Sequence, residues 1–538
     1  MIDTVVQINI DDEIELAWEF LLEEENEEIF LFPFWRYFEY INNHMQRSLP
    51  KIANQLSDQS MRLITASNMC IILLDVVKRT LVWEFNLSQN KNKNLTVQNF
   101  LRNISSQQQL ITLFNKYPVL QQLLGKIFNN YLVYVLDLFR RLEIDLVDLN
   151  TNLNLTDFVL HSFSIKGDPH CLGGRVSELV FHHQQTKAEQ KIIYKPRDLY
   201  LEKRFNEFIQ FLKSRNLKIS LKAIVVIPKE QYGWMEYVSQ ETIEESEAKN
   251  YYYNLGFLLG ICSVFNGQDI HFENIIASGV NPVIIDLECL FSAPVTEHQY
   301  ADSNFPSVFD TLIIPFKRNH NDPGYDFSAV LNHPNQESFM HRFEVKGDFV
   351  TKVYIERSIV NIIPAGNVLG NRLTGVPFSA THYSEMIIGG FGDYLNWVVE
   401  NKQDLIDFVT KKFSNLKSRI LFRPTFIYTK VLLESCHPKL LSDIEKYNQY
   451  LAQLYSEDNE IYRCIYQDEL FDLLNGDIPY FSTMTTELFS KNSRDEKTNF
   501  VTYCTGMERV IDKIRLLQKN DITEISQQIA ESLKDRYV

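Results

Sequence analysis

Cysteine is scarce and scattered: the 538 residues hold 7, none of them in a C-x-x-C pair. A disulfide framework and a cysteine zinc site are therefore not expected, and a reduced, cytoplasmic chain is. Basic charge is in the minority, 53 Lys and Arg against 69 Asp and Glu, for a net charge of −16. Such a surface repels phosphate backbones, so nucleic acid is not expected as a partner. No uninterrupted apolar run approaches the roughly 18 residues that span a bilayer, so no membrane span is expected. The N-terminus, MIDTVVQINIDDEIELAWEF, has neither the basic nor the apolar region of a signal peptide. Internal repeats and long low-complexity tracts are also missing. What is present is 45% hydrophobic residues, enough for a large packed core and, by length, roughly two to four domains.

Residues 1–155 read as a helical region. Apolar residues recur at helical spacing in Trp35–Leu49 and Leu120–Leu149, and the polar Asn86–Asn99 reads as a loop. The texture changes near residue 156. Phe158–Ile165 reads as a strand, Lys166–Arg175 (KGDPHCLGGR) as a glycine loop, and Val176–His183 and Lys191–Lys195 as two further strands. Asp198–Leu212 has helical spacing with Asp198 as N-cap. Ala223–Ile227 and Gly233–Val238 are strand-like, and Glu247–Phe265 is helical. Strand, glycine loop, strand, strand with a lysine, helix and two strands is the order of a kinase-like small lobe, here 156–240. Its loop would cover ATP phosphates through Gly173 and Gly174, and Lys195 would reach them. A solvated strand-end lysine is the ordinary alternative for Lys195. Glu207 and Glu202 are both candidates to position it, and Glu236–Val238 would be the backbone hinge facing adenine.

The sharper signal is GQDIHFENIIASGVNPVIIDLE, Gly267–Glu288, which opens the remaining 241–538. Asp269 and Asn274 have the spacing of a kinase catalytic loop, in which the acid accepts a hydroxyl proton and the amide binds magnesium. Ile275–Ala277 and Val283–Ile285 are strand-like around a turn-rich Ser278–Pro282. Pairing Ala277 with Val283 would place Asn274 opposite Asp286 on one hairpin face. Two oxygen ligands that close suit Mg²⁺, a hard cation that also binds ATP. The plain alternative is a surface hairpin with polar ends; the second acid in register and the lysine strand upstream outweigh it. Asp168 and His170 in the glycine loop read as turn chemistry on their own. Arg419, Arg423 and Thr425, in SRILFRPTFIY, read as a loop entering a strand with solvated arginines.

Several ordered motifs resemble the dehydratase domain of class II lanthipeptide synthetases, the LanM family. They are Gly167-Asp168-Pro169-His170, Tyr194-Lys195-Pro196-Arg197, Asp269–Ile275, Pro282–Glu288, Arg419–Thr425 and Gly476–Phe481, with Arg79-Thr80-Leu81 and Tyr117-Pro118 in the helical region. The resemblance implies an α+β fold like that of lipid and protein kinases: bilobal, with added helices. It implies that ATP and Mg²⁺ are used to phosphorylate Ser and Thr of a precursor peptide bearing a leader, and that phosphate is then eliminated to leave dehydroalanine and dehydrobutyrine. Lys195, Asp269, His271, Asn274 and Asp286 resemble the phosphorylation set. Asp168, His170, Arg419 and Thr425 resemble the elimination set, with Lys195 expected in both. Elimination needs a base for a weakly acidic Cα proton and cationic donors for departing phosphate, which an arginine fork supplies. The cysteine and histidine zinc pattern of the family's cyclase is absent, so no cyclase domain is expected: either the chain is a truncated form, or a separate cyclase or reductase acts next, or the dehydrated peptide is itself the product.

Two other readings stand beside this one. A peptide kinase that stops at phosphate would have no use for Asp168, His170, Arg419 and Thr425. An inactive peptide-binding scaffold would have no use for Lys195, Asp269, Asn274 and Asp286.

Overall fold

The computed structural model describes residues 12–49, 51, 55–215, 217, 219–296, 308–316, 326–331 and 336–534. Among the described residues, two 3-10 helices, Asp12–Leu22 and Glu27–Phe34, precede the α-helices α1 (Trp35–Ser48), α2 (Asp58–Lys91), α3 (Val97–Ser105), α4 (Gln107–Lys116) and α5 (Pro118–Leu153). They are followed by β1 (Phe158–His170), β2 (Gly174–His183), β3 (Glu189–Lys195), α6 (Tyr200–Ser214), β4 (Val226–Pro228), β5 (Gly233–Glu236) and α7 (Glu245–Val264). Then come β6 (Ile275–Ser278), β7 (Asn281–Ile284), β8 (Gln336–Gly347), β9 (Val353–Ile362), α8 (Ser384–Glu400), α9 (Lys402–Phe413) and β10 (Lys417–Ile420). The chain closes through α10 (Thr425–Ser435), α11 (Pro438–Leu441), α12 (Ile444–Leu451), α13 (Glu460–Leu474), β11 (Phe481–Met484), β12 (Phe489–Lys491), β13 (Lys497–Val501), α14 (Gly506–Leu516) and α15 (Lys519–Lys534). The α+β class expected from the sequence is thus observed.

The chain divides into two compact units. The first comprises Met1–Pro196, Phe339–Val360 and Arg423–Tyr480; the second comprises Arg197–Ser338, Asn361–Phe422 and Phe481–Val538. In the first, aromatic side chains make the core: Trp18, Phe30, Phe34, Trp35, Phe38 and Phe139 are fully buried. Phe139 of α5 meets Phe163 of β1 edge-on at 4.9 Å, which fixes helix against sheet. Strands β1, β2 and β3 are antiparallel neighbours, and β1 runs on through the expected loop as far as His170. Helix α2 likewise outruns expectation, to Lys91, so the loop read at Asn86–Asn99 shrinks to the gap before Val97. Asn86 Nδ2 donates to Val353 O at 3.2 Å, and Gln89 Nε2 donates to Thr351 O. These polar side chains bond to β9 and its turn, which removes their competition with helical backbone. Helix α2 is long and apolar enough to cross a membrane by length and composition, with 50% of that window buried.

In the second unit, α7 packs on α8 with backbones almost touching. A Cβ added at Gly256 would lie 1.9 Å from Ile387 O, and one at Gly390 2.0 Å from Tyr253 O. Strands β10 to β13 form an antiparallel sheet in sequence order, and β4–β5 and β6–β7 are hairpins. The β6–β7 register differs by one residue from that expected: Ala277 pairs with Pro282, and Ser278 with Asn281. The turn is only Gly279-Val280, with Gly279 at φ +61, the left-handed first position that two-residue hairpins favour. Pro282 sits in the strand because Ala277 opposite it looks elsewhere. Ala277 N donates to Gly366 O at 2.7 Å and its carbonyl accepts from Glu241 N at 2.8 Å. A proline there costs no ladder bond.

Candidate functional site

The second unit carries a compact charge network. Asn274 N donates to His271 O at 3.0 Å, and Asn274 Nδ2 to Asp269 O at 2.7 Å, so the Asp269–Asn274 segment closes on itself. Asp269 has φ +62, a left-handed conformation that costs a residue with a Cβ of order 1 kcal/mol and recurs at functional sites. Glu273 N donates to His271 Nδ1 at 3.3 Å, so the neutral ring carries its proton on Nε2, which faces Asp269 Oδ1 at 3.9 Å. Asp286 is not opposite Asn274 in the ladder, which corrects the expected pairing; Ile285 N bonds to Asn274 O at 2.9 Å instead. The strand ends at Ile284, and Asp286 Oδ1 reaches Arg197 at 2.6 Å.

Arg197 binds three carboxylates: Asp286, Glu202 and, through Nε at 3.2 Å, Glu288. Glu288 Oε1 in turn accepts from Arg419 at 2.7 Å, and Arg419 N donates to Glu288 O at 2.7 Å. Burial works against the charge on Arg197, but Asp286, Glu202 and Glu288 outweigh it and hold the guanidinium protonated well above its ordinary range. The thiol of Cys289 reports the same density of charge. Burial pushes it up, and Asp269, Glu288 and Asp286 push it further while Arg419 opposes them. Arg197 and Glu288 were legible only as motif members, directly beyond Lys195-Pro196 and two residues beyond Asp286. Arg419 is 6% exposed, not solvated as expected, because β10 carries it into this network.

The acidic candidates for Lys195 also separate. Glu202 is 1% exposed and joins the network, whereas Glu207 bonds Arg204 at 2.5 Å and Lys412 at 2.8 Å. Glu236 ends β5, where its carboxylate accepts from Val225 N at 2.7 Å, and Val238 is buried two residues on. Of the expected activation segment Lys317–Ser328, residues 317–325 lie outside the described residues. Among the described residues, no three His, Cys, Asp or Glu side chains are arranged to hold a metal ion together.

The first unit holds the other candidates. Lys195 ends β3 and is 4% exposed, so the solvated alternative does not describe it. Asp168 is exposed on β1, and its charge supports that of Arg175, which burial pushes down. His170 Nδ1 lies 2.8 Å from Ile478 O. The glycine loop beyond it is clamped by Asp477, whose carboxylate accepts from Leu172 N at 2.7 Å and Gly173 N at 3.0 Å. The Gly173 amide is therefore turned onto a carboxylate. Gly174 has a packing reason of its own, since a Cβ there would meet His170 O at 3.1 Å and Pro196 Cγ at 3.3 Å. Burial pushes Asp477 up to about 6, against the two amides and Arg175 pulling it down. Behind the loop lies a cavity of about 90 Å³ lined by Asn130, Gly173, Arg175, Tyr447 and Asp477 among others. Thr425 is the first residue of α10, where helix amides favour an anion. Arg423 is buried and structural: it bonds Glu469 at 2.7 Å and Leu454 O at 2.7 Å and lies 3.5 Å from the Tyr462 ring centre.

A family model described as a domain of unknown function, DUF4135, matches residues 117–484. The chain belongs to this family. The DUF4135 segment runs from the residue before α5 to the last residue of β11, so it encloses every candidate residue from Asp168 to Asp477. Over 430 residues the chain is also 28% identical to the Lacticin 481/lactococcin biosynthesis protein LcnDR2 of Lactococcus lactis subsp. lactis. That match covers 76% of this chain and 45% of the relative, so this chain spans about half the length of the protein it matches.

Proposed function

We propose that this DUF4135 chain is a lanthipeptide dehydratase, an enzyme that phosphorylates Ser and Thr of a precursor peptide with ATP and then eliminates the phosphate. The relative's name supports the biosynthetic setting. The observation that carries the two-step reading is one chain of ion pairs, Asp286–Arg197–Glu288–Arg419. It ties a residue of the phosphorylation set to a residue of the elimination set, as a cleft performing two steps on one side chain requires.

In this reading Lys195 serves the nucleotide phosphates and the Glu236–Val238 backbone the adenine. Mg²⁺ would be held by Asn274 and Asp286, whose hard oxygens suit it although the two are not ladder partners, with waters completing the shell. The amide bond to Asp269 O fixes which end of Asn274 is its oxygen. Bound there, the ion would neutralise charge on the transferring phosphoryl group. Asp269, oriented by His271, takes the proton of the peptide hydroxyl as its oxygen bonds to the γ-phosphorus and ADP leaves. In the second step His170 takes the Cα proton, with Asp168, two residues before it, supporting the charge of Arg175. The C–H electron pair becomes the Cα=Cβ bond, and the Cβ–O bond breaks with its pair on phosphate. Arg419 and Thr425 stabilise that leaving phosphate.

The test is mass spectrometry of a candidate precursor peptide with a Ser/Thr/Cys-rich core after incubation with enzyme, ATP and Mg²⁺. A loss of one water per modified residue is expected. Phosphopeptide that never loses phosphate would reject the lyase half, and unmodified peptide would reject both.

A further inference from the structure

We infer that Asp477, through the backbone it anchors, positions His170 for elimination; the inference rests on the reading above. His170 closes β1 with Nδ1 at 2.8 Å from Ile478 O. A carbonyl only accepts, so Nδ1 holds the proton of the neutral ring and Nε2 holds the lone pair that takes a proton. Ile478 N donates back to Pro169 O at 2.8 Å, so the segment next to the ring is tied in both directions. Tyr480 then packs against the imidazole with ring centres 5.7 Å apart.

Asp477 holds the far side of the same turn. After His170 the backbone passes through Cys171, Leu172 and Gly173 at φ +49, +65 and +84. Three successive left-handed residues, two of them with a Cβ, are strained and persist only where something over-determines them. Here the Leu172 and Gly173 amides converge on one carboxylate. Successive amides converging in this way form an anion-binding nest, filled by a side chain of the protein itself. Asp477 is 2% exposed and its own amide donates to Asp472 O at 3.0 Å. It is thus a positioning residue that meets no substrate. The Gly476–Phe481 motif gains a role: its carboxylate sets the loop and its next carbonyl sets the histidine tautomer.

The experiment compares wild type, Asp477→Ala, Asp477→Asn and His170→Ala as full chains, each with ATP, Mg²⁺ and the precursor peptide. Phosphorylated and dehydrated peptide are followed separately by mass spectrometry. Asp477→Ala is expected to keep phosphorylation within about threefold while elimination slows by about tenfold to a hundredfold, as a misplaced catalytic group does. Asp477→Asn, whose amide oxygen still accepts, is expected to recover most of that loss. His170→Ala marks the floor. Elimination at the wild-type rate in Asp477→Ala overturns the inference, as does an equal fall in both steps, which is the signature of general structural damage. A wild-type enzyme that leaves phosphopeptide intact overturns the parent reading, and this inference with it.

Discussion

Arg423 and Glu469 sit 2.7 Å apart with side chains 9% and 1% exposed, and Tyr428 adds a hydroxyl to the same carboxylate at 2.6 Å. Removing one partner of such a pair leaves a buried charge with no counter-ion. Arg423→Ala is therefore expected to lower stability by about 3–5 kcal/mol, read as a shift in urea midpoint. A change below about 1 kcal/mol would mean the pair is solvated after all. Asp477 gives a prediction of opposite character. Its folded pKa, about 6, lies above the unfolded 3.8, so the folded chain binds more protons between those values. The contribution is complete below about pH 4 and is lost as pH rises through 6. Relative to Asp477→Asn, the wild type should lose about 3 kcal/mol over that window, from about two pH units at about 1.4 kcal/mol each. Urea midpoints of both proteins from pH 4 to 7 check this, and parallel curves would refute it. Residues such as these were only half legible. The motif spacing marked Arg419 and Arg423 as a pair, but spacing says nothing of depth, and both are buried by the elements around them.

Long elements were read from periodicity to within a few residues, as with α1, α5 and α7, because many apolar positions vote together. Short strands such as β3, β5 and β6 were also placed to within about two residues, but register was not. The β6–β7 register hung on Asn281-Pro282, which has turn chemistry but lies in a strand whose partner needs no bond from it. The helix pairing of α7 and α8 was invisible too, although Gly256 and Gly390 record it. On α8 two adjacent glycines make a controlled contrast. Gly389 is exposed with nothing within 4 Å of an added Cβ, whereas Gly390 would drive its Cβ to 2.0 Å from Tyr253 O. Gly389→Ala should stabilise by about 0.5–1 kcal/mol through helix propensity alone. Gly390→Ala should destabilise by at least several times that, or fail to fold, because backbone cannot yield as a side chain can. Melting temperatures of the two variants settle it, and equal effects would mean that α7 and α8 are not in contact at this point.

At the scale of the whole chain, one member of each expected set, Asp286 and Arg419, falls in the ion-pair network of the second unit. Asp286 and Glu288 are two residues apart, and Arg197 and Arg419 approach them from distant segments, so one acidic strand end organises both arginines. This predicts unequal consequences for the two. Arg419 bonds Glu288, whereas Glu202 and Asp286 bond Arg197, so Arg419→Ala should spare phosphorylation and slow elimination about 10²–10³-fold, the usual cost of one donor to a developing oxyanion. Phosphopeptide would then accumulate. Arg197 lies between Asp286, Glu202 and Glu288, and removing it sets three carboxylates against one another beside Asn274. Arg197→Ala should therefore depress phosphorylation itself and leave mostly unmodified peptide, even when synthetic phosphopeptide is still accepted for elimination. Time courses by mass spectrometry distinguish the two patterns. Phosphopeptide accumulating with Arg197→Ala and unmodified peptide with Arg419→Ala would reverse the assignment. Identical behaviour would show that the shared network does not divide its labour between the two steps.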